Sequence, residues 1–185
     1  MIYYLYGISA TCYISFIWAA KFLFQVKDKS SRLGRNIISL LGLISIMAQS
    51  YSVYFYASNK ISIYIASIIF TIAAITFWSA VKITFQKPFD FLLSKNEPQS
   101  LITKGPYKYI RHPFYTSYML AWLAGIIASE SIYSLISLSL IPIYILAAIN
   151  EELNFERNNF SLQYLKYKKN TGMFLPNPYK IIKNG

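Results

Sequence analysis

Apolar residues along this chain neither alternate nor keep to one helical stripe; they come in long blocks almost free of charge. Five blocks stand out: Ile2–Phe24, broken only by Lys21 near its end, Ile37–Ala57, Ile61–Val81, His112–Ser129 and Ser131–Asn150. Roughly 20 apolar residues cross the hydrocarbon core as a helix, so each block predicts a membrane span. The fourth is the shortest, with 18 uncharged residues counted from His112. Only Ser129-Glu-Ser131 separates it from the fifth, which predicts a tight antiparallel hairpin. By contrast, 30 residues, Lys82–Arg111, precede it. Connections of that length are functional or disordered, and Phe85, Phe89, Phe91, Tyr107 and Tyr109 argue for an ordered segment that lies on the membrane surface and covers something.

After the fifth block the pattern changes. Leu153, Phe160, Tyr164 and Tyr167 recur at helical spacing, beside a polar stripe of Glu152, Glu156, Asn159 and Gln163. That periodicity predicts one amphipathic surface helix over Asn150–Lys169, ended by Thr171-Gly172 and the prolines Pro176 and Pro178. The expected architecture is an all-α integral membrane protein in a single domain. Three N-terminal spans (1–81) are followed by a cytoplasmic connector (82–111), a helical hairpin (112–150) and a cytoplasmic helix with its tail (151–185).

Composition agrees with the pattern. With 55% hydrophobic residues, 18% aromatics and 14% charged residues, the chain is too apolar for a soluble domain of 185 residues. Basic residues orient it, because short cytoplasmic loops retain Lys and Arg. Lys21 and the loop Gln25–Asn36 carry five, Lys82–Arg111 six and the C-terminal tail six, whereas the two remaining loops share only Lys60. The N-terminus is therefore expected outside and the tail in the cytoplasm. The net charge of +11 lies in juxtamembrane segments, where topology and anionic headgroups account for it and no nucleic-acid partner is implied. The first block has no basic leader and too long an apolar run for a secretion signal. Cys12, the single cysteine, rules out an intramolecular disulfide or cysteine metal site, and no metal is expected. Gln49, the one amide in mid-span, predicts an interhelical hydrogen bond.

Chemistry concentrates in Gly105-Pro-Tyr-Lys-Tyr-Ile-Arg-His-Pro-Phe-Tyr115, which contains the only histidine. Proline has a fixed φ and no N–H, and it pushes the preceding residue toward extended backbone, so Pro113 should open the fourth helix with His112 just outside it. Free N–H groups of that first turn, Arg111 and several phenols would suit a polar, partly anionic, partly aromatic small molecule. An anchoring belt at the membrane boundary has the same composition. Glu151 and Glu152 separate the two readings, since the hairpin brings Glu152 to the level of His112, and a carboxylate at that depth needs a partner or a function. A structural ion pair also satisfies that requirement.

The run Leu101-Ile-Thr-Lys-Gly-Pro-Tyr-Lys-Tyr-Ile-Arg-His-Pro-Phe-Tyr115, then Glu151-Glu152, then Phe160, Tyr164 and Tyr167, then Phe174-Leu-Pro176, resembles the isoprenylcysteine carboxyl methyltransferase and phospholipid methyltransferase superfamily of integral membrane enzymes. The resemblance covers about Gln99–Pro176 and leaves the first three spans undiagnosed. It implies that the C-terminal half forms a cytoplasmic-side pocket for S-adenosylmethionine. By motif position Gln99, Ser100, Leu101 and Ile102 would line the cofactor, Tyr107 would contact it, and His112, Pro113, Phe114 and Tyr115 would cradle it. Glu152 would hold its amino acid or adenosine end. His112 and Glu152 would orient the cofactor, with Arg111 meeting its carboxylate or a lipid headgroup. Its methyl acceptor would be lipophilic: a lipid, a small molecule or a lipidated peptide.

Two positions depart from the family pattern. Ser117 stands where glycine is common, and Ala148 replaces the arginine that meets the substrate carboxylate in the prenylcysteine enzymes, which argues against such an acceptor. Two other readings compete. Membrane reductases of the steroid reductase type share a similar C-terminal half and use NADPH, and a non-catalytic membrane protein would need only the aromatic belt.

Overall fold

The computed structural model describes residues 1–25, 29–85, 89–90, 101–157 and 161–177. Six helices carry the fold among the described residues: α1 (Ile2–Phe22), α2 (Lys29–Tyr56), α3 (Lys60–Thr84), α4 (Pro113–Ser129), α5 (Leu140–Glu156) and α6 (Ser161–Asn170). The one pair of strands among the described residues is minimal. Strands β1 (Phe24–Gln25) and β2 (Phe89–Asp90) pair in parallel, Phe24 with Phe89, and tie the ends of α1 and α3 together.

Among the described residues, four segments are long and apolar enough to cross a membrane: Ile2–Phe22, Leu33–Tyr56, Lys60–Thr84 and Ile132–Glu156. Helix α4 has 17 residues, about 26 Å at 1.5 Å per residue, slightly less than the roughly 30 Å hydrocarbon thickness. α4 is mostly buried, with Leu123 and Ile127 its exposed residues, and it packs most extensively on α3 while also meeting α1, α2 and α5. A helix apolar on nearly every side packs inside a bundle. Ser117, Ala121, Ala124 and Ala128 on α4, with Ala66, Ala73 and Ala80 on α3, are fully or almost fully buried. Such small side chains let helix backbones approach closely, which is how apolar helices associate in a solvent as apolar as themselves.

Gln49 makes the interhelical contacts that its position predicts. Its amide donates to the Trp122 carbonyl at 3.0 Å and to Ser137 Oγ at 2.9 Å, and its carbonyl accepts from the Tyr13 hydroxyl. One side chain thereby joins α1, α2, α4 and the segment before α5. Gly125 makes room for it, since a Cβ there would overlap the Gln49 carboxamide.

Two elements differ from expectation. The fifth block does not begin as an α-helix: Ile132–Ser139 forms a 3-10 helix, capped by the Ser131 hydroxyl, before α5 starts at Leu140. Ser131, Ser134 and Ser137 recur every three residues, matching the three-residue turn, and the latter two are buried while Ile132, Tyr133 and Leu135 face outward. The single helix expected over Asn150–Lys169 is also two. α5 runs on through Glu156 and is capped at Arg157, and α6 starts separately at Ser161. Glu152 thus belongs to the end of the long helix, where it is buried, rather than to a solvent stripe. Of the residues assigned to the apolar face, Tyr164 is buried, Leu153 is exposed and Phe160 lies outside the described residues.

Candidate functional site

Pro113 opens α4 and His112 is its N-cap, with φ −124° and ψ 64°, outside the α region that a following proline disfavours though short of fully extended backbone. A second strand of chain fixes this entry. Arg111 N–H donates to the Gly172 carbonyl at 2.8 Å, His112 N–H to the Met173 carbonyl at 3.1 Å, and Gly172 N–H to the Tyr109 carbonyl at 3.2 Å. The Thr116 hydroxyl lies 3.0 Å from both the His112 and the Phe174 carbonyl oxygens. Residues after α6 therefore pair with those before α4, which accounts for the Phe174-Leu-Pro176 element far along the sequence. Gly172 permits the pairing, because a Cβ there would run into the Leu175 backbone carbonyl.

The hairpin delivers the carboxylates. His112 Nε2 is 3.2 Å from Glu152 Oε1 and Nδ1 is 3.4 Å from Glu151 Oε2, so the imidazole lies between two acids. Burial alone would lower its pKa, but hydrogen bonds and charge from Glu151 and Glu152 outweigh that and raise it above the ordinary histidine value. The ring stacks on Tyr115, with centroids 5.5 Å apart, and Tyr115 stacks in turn on Tyr144. The Tyr115 hydroxyl donates to Glu151.

Glu152 is the hub of a buried charge network. Its Oε1 accepts from Arg111 Nε at 2.8 Å as well as meeting His112, and its Oε2 lies 2.8 Å from Lys168 Nζ. Lys168 also reaches Glu156 at 2.7 Å, and these two acids raise its pKa. Arg111 is satisfied from three directions, its Nη1 donating to the carbonyls of Lys168 and Thr171 besides the Nε bond. Its guanidinium therefore clamps α4, α5 and α6 together. Glu151 is less committed, with its side chain about one third exposed.

Tyr107 stands apart. It is buried in a 3-10 turn, Gly105–Lys108, where its carbonyl accepts from the Tyr167 hydroxyl at 2.6 Å, yet its own hydroxyl has no hydrogen-bond partner among the described residues. Leaving such a hydroxyl unsatisfied costs about 1–3 kcal/mol, so the position is paid for elsewhere or awaits an acceptor. Gly105, at φ +59°, makes the turn possible.

Of the residues named from the sequence, the structure brings Arg111, His112, Pro113, Phe114, Tyr115 and Glu152 together, with Tyr107 buried nearby and Ile102 packed against the core. Leu101 is half-buried; Gln99 and Ser100 lie outside the described residues. Lys168, Tyr144 and the carbonyls of Thr171 and Gly172 were not anticipated. Lys168 alone had a sequence signal, standing four residues after Tyr164 in a helix whose buried face is short of apolar residues. Ala148 is fully buried, so no cation stands at that point of α5.

No curated protein matches the chain. The sequence pattern of the phospholipid methyltransferase family does match it, over residues 61–163. That region takes in α3, earlier left undiagnosed, together with α4, α5 and the His112, Glu151 and Glu152 cluster. More than half of the 185 residues are matched, and the chain belongs to the phospholipid methyltransferase family.

Proposed function

We infer that this protein is a five-span membrane enzyme, with α4 as the fourth span, that transfers a methyl group from S-adenosylmethionine to a lipophilic acceptor at the cytoplasmic face. The observation that carries the reading is the cluster of buried His112, Tyr115 and Tyr107 with partly exposed Glu151 at the mouth of α4. Family membership implies a methyl donor, and the residues present fit this one. Its ammonium and sulfonium charges suit the partly exposed Glu151 and the stacked rings of Tyr115 and Tyr144, since phenol faces attract cations. Its hydroxyl and amine groups offer partners to the orphaned Tyr107 hydroxyl. When bound, S-adenosylmethionine supplies an electrophilic methyl carbon.

This chain's residues then bind, orient and exclude water. Glu152 and Arg111, joined to each other and to Lys168 and the Lys168 and Thr171 carbonyls, hold His112 and the residues around Gly172 in register. In-line positioning of two reactants is worth effective molarities of roughly 10⁵ M or more, and burial of the phenols keeps water from competing. A pocket at the membrane boundary lets a water-soluble donor meet an acceptor that resides in the bilayer.

Equilibrium binding of S-adenosylmethionine and, separately, NADPH to detergent-purified protein tests the reading. Saturable S-adenosylmethionine binding weakened by His112→Ala is expected. Binding of NADPH in its place would overturn the methyltransferase reading in favour of the reductase.

A further inference from the structure

Helix α6 has two unlike faces. Tyr164, Tyr167, Lys168 and Thr171 turn inward, toward Tyr107, Glu152 and Glu156. On the opposite side Leu162, Leu165, Lys166 and Lys169, spaced by three and four residues and therefore neighbours on one helical face, are all exposed. Leu162 is 83% exposed, a position that a helix facing water would not give to leucine in preference to a polar residue. No Asp or Glu occurs anywhere from Asn158 to Gly185, while that stretch carries five lysines. α6 begins at Ser161, five residues beyond the end of the candidate span Ile132–Glu156, and packs against the end of α5.

We propose that the outer face of α6 docks on an anionic lipid surface, its two leucines entering the headgroup region while Lys166 and Lys169 meet lipid phosphates. Two leucines give too little apolar area to hold a helix on a bilayer by themselves, and the lysines complete the attachment. Basic residues near a charged leaflet contribute enough to favour the docked state about 5-fold each. Docking bears on the site, because α6 brings Lys168 to Glu152 and presents the Lys168 and Thr171 carbonyls to Arg111. An anionic leaflet therefore braces the cluster from below.

The test uses the full chain with Leu162→Cys carrying a bimane label, the native Cys12 being buried and unreactive. Labelled protein is placed in nanodiscs of phosphatidylcholine alone or with phosphatidylglycerol added. Quenching by lipids spin-labelled near the headgroup is compared with quenching by aqueous iodide. The proposal expects lipid quenching to dominate in the anionic discs and to fall with added salt. Lys166→Gln with Lys169→Gln should shift the docked-to-undocked ratio by about 25-fold. Two results would overturn it: iodide quenching alone in both discs, or lipid quenching equal in both and unchanged by removing the lysines. These exposed substitutions leave the folded core intact, and the readout does not depend on methyl transfer.

Discussion

Replacing Glu152 by alanine removes the acceptor that neutralises Arg111 and His112. The pair is largely shielded from solvent, the Arg111 side chain 10% exposed and that of Glu152 6%. Breaking a buried ion pair by deleting one partner costs about 3–5 kcal/mol, because the surviving charge is left uncompensated. Arg111 keeps the Lys168 and Thr171 carbonyls, which places the expected loss near the lower end, about 3 kcal/mol. Lys168 adds little, since its side chain is 38% exposed and Glu156 remains beside it. At roughly 2–4 °C per kcal/mol for a chain of this size, Glu152→Ala should lower Tm by about 6–12 °C. The protein carries its own reporter: Cys12 is 1% exposed, so a thiol-reactive dye in detergent stays dark until the bundle opens. Glu152→Gln, which keeps the shape and an acceptor but not the charge, should lose about half as much. If Glu152→Ala melted within about 2 °C of wild type, the hub role of this carboxylate would be wrong.

Three further predictions follow from particular contacts. Tyr107→Phe removes a buried hydroxyl that has no partner, so Tm should hold or rise slightly while S-adenosylmethionine binding weakens about tenfold, measured by titration calorimetry; a fall in Tm with unchanged binding would contradict the role assigned to it. Gly125→Ala drives a methyl into the Gln49 carboxamide and should cost about 1–3 kcal/mol in the same dye assay, a loss that Gln49→Ala relieves in the double variant. The folded pKa of His112 lies above its unfolded value of about 6.5, so the contribution of its protonated form is complete below about pH 6.5 and is lost as pH rises through the folded value. The Tm gap between wild type and His112→Gln should therefore narrow from mildly acidic to alkaline pH, and a gap that widened would reverse the reasoning.

Much of the site could be read from the sequence because steric rules acted locally. Proline at 113 fixes where α4 starts and puts His112 at its cap, and a connection as short as Ser129-Glu-Ser131 forces the antiparallel return that sets Glu152 against His112. What the sequence concealed came from long-range pairing. The Gly172 and Met173 carbonyls that hold Arg111 and His112 carry no side-chain signature, and the contact of Lys168 with Glu152 depends on how α6 packs against the end of α5. Periodicity also failed where the period itself changed. A helical pattern continued across Arg157 although the helix did not, and the 3-10 segment Ile132–Ser139 was hidden in an apolar run whose serines alone marked its three-residue turn. Arg111 shows a further limit, because the sequence left open whether its anion is a ligand or an internal carboxylate, and the structure pairs it with Glu152 of the same chain.

The most direct test of the central claim is transfer of a labelled methyl group from S-adenosylmethionine to total membrane lipid by the purified protein in nanodiscs. Wild type should move label into the organic phase, and His112→Ala, folded by the dye assay, should not. A folded wild-type protein that binds S-adenosylmethionine yet leaves every lipid fraction unlabelled would contradict a lipophilic acceptor, and label retained by His112→Ala would contradict the site.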